Sequence, residues 1–206
     1  MPTQKIITIY TYDELNEKAQ ETARQDYMKV WGCDDFRYRI EWLEEELSGV
    51  GLTLTEWDAD RAYAKIKIDK NTYTKTFVAN VAGLTDRHLV EKAVEPCKAL
   101  LAKMKRLDRL GGLCNRPAIQ HRQSEKLYTS LCEGYDLLEK EIAGDVDEIL
   151  RDISGDVGRL LQSEYEYTES EEYIKESFEA NECLFFSNGT VAPRGLQDAP
   201  LALAQN

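Results

Sequence analysis

The sequence predicts an α+β fold, mostly helical, with a small antiparallel sheet and one long helix carrying an 11-residue repeat. Three observations predict it. Apolar residues recur at three- and four-residue steps over most of the chain, which is the spacing of a helix face. Between residues 52 and 81 the pattern changes to short alternating or β-branched runs, which is the spacing of strands. From Leu127 to Leu160 the apolar steps repeat as 4, 4, 3, so that Leu127, Leu138, Ile149 and Leu160 each lie 11 residues apart.

Taken in order, Lys5–Tyr10 (K-I-I-T-I-Y) is β-branched and reads as a strand. Thr11 or Asp13 can cap a helix over 12–30, in which Leu15, Ala19, Ala23 and Tyr27 form one face and Gly32 is the expected stop. Asp34 and Asp35 start a second helix with Phe36, Ile40, Leu43 and Leu47 inside; Gly49 and Gly51 end it. Leu52–Trp57, Ala62–Ile68 and Tyr73–Val81 read as a three-stranded meander, with Lys65, Lys67 and Tyr63 on one face of the middle strand. A helix follows from Thr85-Asp86 to about Leu110, with a kink or break expected near Pro96 and an end at Gly111-Gly112.

The long helix is expected around 123–167. A period of 11 residues is 3.67 per turn, so its stripe runs nearly parallel to the helix axis. Within it, I-A-G-D-V at 142–146 is echoed by I-S-G-D-V at 153–157. Leu138, Ile142, Ile149, Ile153 and Leu160 therefore form either the core stripe of a bundle or the seam of a homodimer. Thr168 or Ser170 can cap a short helix over Glu171–Ala180, Cys183–Ser187 is strand-like, and Asn188-Gly189 is a hairpin turn signal. The length of 206 residues suits a single domain over 1–192 with a flexible tail at 193–206.

Charge is unevenly spread. The net of −12 divides into −8 over 1–60, +9 over 61–126 and −13 over 127–206. Such a chain repels nucleic acid overall, and its acidic faces suit a basic partner surface. The basic middle lacks interleaved aromatics, so internal neutralisation of the acidic arms explains it more simply than nucleic-acid binding. No apolar run approaches the ~18 residues that cross a bilayer, so a cytoplasmic protein without membrane contact is expected.

Two stretches carry a resemblance. The opening Y-T-Y-D-E-L-N-E-K-A-Q-E-T-A-R-Q (Tyr10–Gln25) and the segment Glu164–Gly189, where a Glu-Tyr repeat precedes a short helix, resemble the two ends of a family of small acidic phage and prophage accessory proteins. The middle departs from that family, with Asp58-Ala59-Asp60-Arg61 where a Gln-Gly-Asp-Gly stretch belongs. The resemblance implies a phage accessory protein and leaves its activity open.

The search for chemistry returns little. Five cysteines (Cys33, Cys97, Cys114, Cys132, Cys183) form no Cys-x-x-Cys pair and read as reduced and mostly buried. His88 and His121 have no ligand partners at metal spacing; Cys114 with His121 is the one nucleophile–base pairing the sequence leaves open. Asp58 and Asp60 read as turn residues. No phosphate-binding loop, cofactor motif or metal motif is expected. The reading is therefore non-enzymatic, and the resemblance to phage accessory proteins implies an inhibitor that binds a host protein, most naturally a nucleic-acid-handling defence component of the CRISPR or restriction type. Its acidic surface would use Glu164, Glu166, Glu169, Glu171, Glu172, Asp145 and Asp156. A self-associating structural or regulatory module is the alternative.

Overall fold

The computed structural model describes residues 7–85, 89–114 and 125–194, and their side chains apart from those of 31–35 and 125–126. After a 3-10 turn at Tyr12–Glu14 come α1 (Glu17–Tyr27), a π-helical stretch (Met28–Gly32), α2 (Cys33–Gly49), β1 (Leu52–Asp58) and β2 (Tyr63–Ile68). Then follow α3 (Thr74–Ala82), α4 (Glu91–Cys114), α5 (Glu125–Thr168) and α6 (Glu171–Ala180). The mostly helical α+β class, with a two-stranded antiparallel sheet and a long helix, is what forms. Where the sequence suggests one domain over 1–192, the chain divides into two compact units. The terminal unit is Met1–Arg39 with Glu164–Asn206; the central unit is Ile40–Ser163. Periodicity reports which face of a helix is buried. It does not report in which core, and α2 and α5 each contribute residues to both.

In the central unit β1 and β2 pair from Leu52↔Ile68 to Asp58↔Tyr63, with a bulge between Leu54 and Glu56. Leu52, Leu54, Ala64 and Ile66 are buried. On the opposite face Lys65 pairs with Glu56 at 2.6 Å, and the Tyr63 hydroxyl donates to the same carboxylate at 3.4 Å. The third strand of the expected meander does not form. Residues 74–82 are α3, because Phe77, Val78 and Val81 are all fully buried and sit one and four residues apart, a helical and not a strand spacing. Composition suggested β here; the burial pattern is that of a helix.

α4 begins at Glu91, later than Thr85-Asp86; residues 86–88 lie outside the described part. It passes through Pro96 without interruption. Proline in the second turn removes one hydrogen bond, to the Lys92 carbonyl, and the rest of a 24-residue helix remains. Nor does it stop at Gly111-Gly112, because α5 covers it there: a Cβ on Gly111 would lie 3.2 Å from the Tyr135 ring.

α4 and α5 run antiparallel. Lys103 bridges Glu141 and Asp145, both at 2.6 Å, and Lys92 meets Asp156 at 2.9 Å. This register sets the buried Ala93, Cys97, Leu100 and Met104 of α4 against the buried Ile153, Ile149, Val146 and Ile142 of α5. The homodimer seam thereby loses its surface. Leu138, Ile142, Ile149 and Ile153 are already buried within one chain. Leu160 is only half-buried, and the stripe steps to Leu161, which is 2% exposed. The hairpin also meets α5: the Ile66 N–H donates to Ser154 Oγ at 3.3 Å, and a Cβ on Gly158 would fall on the Ala62 carbonyl oxygen.

In the terminal unit, Asn16 caps α1 by accepting from the Ala19 N–H at 3.0 Å, while Thr11 bonds Glu14 and closes the preceding turn. Gly32 does not end the helical run; the π stretch leads straight into α2. Of the expected strand at 5–10, residues 5 and 6 lie outside the described part, and Tyr10 forms a two-bond antiparallel bridge with Phe185, each N–H to O distance being 2.8 Å. Phe185 bridges Val191 as well, with Asn188-Gly189 turning between them as expected. Gly189 has φ +89°, and a side chain there would strike the Ala19 carbonyl. Of the expected tail, only Pro193 and Arg194 are described.

Candidate binding surface

The short helix α6 organises the terminal unit. The Ser170 hydroxyl accepts from the Tyr173 N–H at 3.2 Å, and Glu171 and Glu172 in the first turn favour the positive end of the helix dipole. Its inner strip is Ile174 and Phe178, both buried. The Phe178 ring meets Tyr12 at 5.3 Å, Tyr27 at 5.3 Å and Phe185 at 4.9 Å, the last two edge to face. Four rings from α1, the 3-10 turn, α6 and the 183–192 hairpin thus share one core with Leu15, Ala19, Ala23 and Ile174. Burial pushes the Tyr12 phenol up, and its hydroxyl has no hydrogen-bond partner among the described residues.

The neighbouring strip of α6, Tyr173, Ser177 and Ala180, lines a groove of about 810 Å³. Asp26–Val30 and Thr190–Arg194 supply further wall, with Val30 62% and Val191 44% exposed. The Tyr27 hydroxyl donates to Ser177 Oγ at 3.1 Å and fixes α1 to α6 beneath it. One strip further round, Glu172, Glu176 and Glu179 are exposed at helical spacing. Glu176 accepts from the Tyr167 hydroxyl at 3.4 Å, and its charge raises the Tyr167 phenol. Glu179 lies 3.9 Å from Lys175, which is held closer by Asp13 at 2.8 Å. Glu172 has no cationic partner among the described residues.

The structure does not bring the seven sequence-selected acidic residues together. Glu166, Glu169 and Glu172 are exposed in the terminal unit. Glu171 is exposed but paired with Arg24 at 2.6 Å, and Arg24 also holds Glu21. Glu164 is half-buried, 3.3 Å from Arg39 and next to the Phe36–Tyr165 ring pair. Asp145 and Asp156 belong to the central unit and are committed to Lys103 and Lys92, with Arg159 also on Asp156. Those two are corrected from partner-binding residues to internal ion-pair residues: acidic density does not reveal which carboxylates an adjacent helix neutralises. Glu176 and Glu179 were missed, although their spacing from Glu172 was in the sequence. The groove had no sequence signal, since its walls come from three distant segments.

Chemistry elsewhere is sparse. Among the described residues no group of three or more His, Cys, Asp or Glu could hold a metal ion. Asp58 accepts from the Arg61 N–H at 3.3 Å, as a turn residue does. His88 and His121 lie outside the described residues, so the Cys114–His121 pairing does too. No helix among the described residues is long and apolar enough to cross a membrane. No family model, curated protein or solved structure matches the chain.

Proposed function

We propose that the protein is a non-enzymatic binding protein whose terminal unit holds a basic, amphipathic segment of a protein partner. The observation that carries this reading is the placement of an apolar groove of about 810 Å³ directly beside the carboxylate strip Glu172, Glu176 and Glu179 on one helix. Apolar side chains of the partner segment fill the groove, and its Lys or Arg residues meet the strip, which is helix-in-groove recognition. Charge supports it: the terminal unit holds 8 Lys/Arg against 16 Asp/Glu, while the central unit holds 18 against 22. With the resemblance to phage accessory proteins, the partner is a host protein in the host cytoplasm. A basic, nucleic-acid-handling defence component, blocked by occupation of its cationic surface, fits best.

The test is capture of a host protein on the immobilised chain over a salt series, with wild type and the E172K/E176K/E179K variant. Capture that weakens steeply with salt and is lost in the variant, at unchanged melting temperature, supports the reading. Salt-independent capture that survives the triple reversal refutes it.

A further inference from the structure

The α4–α5 register places two thiols face to face. Cys114 is the last residue of α4, and Cys132 lies near the start of α5. Gly111 packs against Tyr135 a turn further in, and Cys114 opposite Cys132 continues the same antiparallel register to the last residue of α4. Cys132 is close enough to raise the Cys114 thiol and the phenol of Tyr128, one turn before it, so the three groups are neighbours. Both cysteines are reduced thiols and half-buried, and Tyr128 is 38% exposed, so a small oxidant reaches the site. The other described cysteines differ. Cys97 is fully buried with its thiol pushed up to about 11, and Cys183, in the terminal unit, is likewise raised by burial.

We propose that Cys114 and Cys132 form an oxidative modification site: an intramolecular dithiol that a hydroperoxide converts to a disulfide, tying the last turn of α4 to the N-terminal part of α5. Cys132 is the first nucleophile, because burial and its neighbours keep the Cys114 thiol protonated. Its thiolate attacks one peroxide oxygen; the O–O bond breaks, and the departing hydroxide takes up a proton and leaves as water. Cys132 is then a sulfenic acid. The Cys114 thiolate attacks that sulfur, the S–O bond breaks, and a second water leaves with the thiol proton. Two electrons pass from the thiols to the peroxide. Burial first, and then the neighbouring Cys132 and Asp136, raise the Cys114 thiol. The closing step therefore speeds up as pH rises above neutral, since only the thiolate attacks.

The experiment treats the reduced full-length protein with hydrogen peroxide, then digests it with trypsin without reductant. Arg122 and Lys126 lie between the two cysteines, so cleavage separates them unless they are joined. The expected result is a Cys114–Cys132 linked peptide pair, lighter by two hydrogens than its parts and split by dithiothreitol. C114S should instead leave a Cys132 sulfenic acid that dimedone captures, and Tyr128→Phe should slow closure several-fold. Circular dichroism on each variant confirms that it is folded. Two outcomes overturn the proposal: complete alkylation of both thiols after peroxide treatment of folded protein, or linkage found only between separate chains.

Discussion

The two units treat their carboxylates in opposite ways. In the central unit the acidic face of α5 is met by an adjacent basic helix, so Glu141, Asp145 and Asp156 each have a lysine. In the terminal unit α6 has no such neighbour on its outer side among the described residues, and the strip Glu172, Glu176 and Glu179 is exposed beside an apolar groove. Their cores differ as well. The central core is mainly aliphatic, with Phe77 as a buried ring, and repeats along α4 and α5, whereas the terminal core gathers Tyr12, Tyr27 and Phe185 around Phe178. The comparison teaches that equal acidity along a chain can hold one region together and leave another available. The packing partner decides which.

The largest break is Ile153→Asp. Ile153 is 2% exposed in the central core, and an unpaired buried charge costs about 3–5 kcal/mol. Thermal unfolding should show the loss. A variant that keeps its melting temperature and only changes its mass in solution would return the stripe to the surface as a seam. Phe178→Ala should cost a similar amount, about 3–5 kcal/mol, but in the other unit. Hydrogen exchange should then loosen α1 and α6 while β1 and β2 keep their protection; equal loosening of both would mean the two cores are not separable.

Gly158→Ala is smaller, about 1–3 kcal/mol, because its new methyl meets the Ala62 backbone, which cannot rotate away. Gly144→Ala, four turns earlier with open space around it, is the control and should be neutral or stabilising. Smallest is a pH effect. The hydrogen bond from Lys92, ahead of that from Arg159, holds the Asp156 carboxyl below its ordinary value. A depressed folded pKa means that its stabilisation is present above the unfolded value and is lost as pH falls through the folded one. Urea melts should therefore show wild type losing more stability than Lys92→Met between neutral pH and pH of about 3. Parallel loss in the two proteins would show that the pair contributes nothing.

Long-range order was the legible part of the fold. The 11-residue stripe marked α5 and its apolar face from Leu138 to Val157, because one regular period over many turns fits only a helix; whether that face was core or seam was decided by packing. Short segments were less legible. Phe77, Val78 and Val81 fit a strand by composition and a helix by spacing, and only packing on α4 decides. Gly32, Pro96 and Gly111 looked like stops, yet helix continues through each, since a local penalty of a few kcal/mol is outweighed by continuous side-chain packing. At the candidate site Glu166, Glu169 and Glu172 were found as exposed carboxylates, but their usefulness depends on neighbours. Val30 and Val191 are 161 positions apart in sequence, so no local pattern announces that they share a groove.

The echo between 142–146 and 153–157 has a counterpart on α4. Lys92 and Lys103 are 11 residues apart, as are their partners Asp156 and Asp145, and so are Ala93 and Met104 of the core. Both helices are therefore ruled with the same graduation, like the two scales of a vernier. Removing 11 residues from α4 and the facing 11 from α5 would restore every coincidence of apolar side chain and ion pair on a shorter rod. Removing ten or twelve would turn each stripe by about 100° and align nothing. The length of this helix pair is thus free to change during evolution, but only in whole steps, and relatives of different size would be expected to differ by multiples of that step.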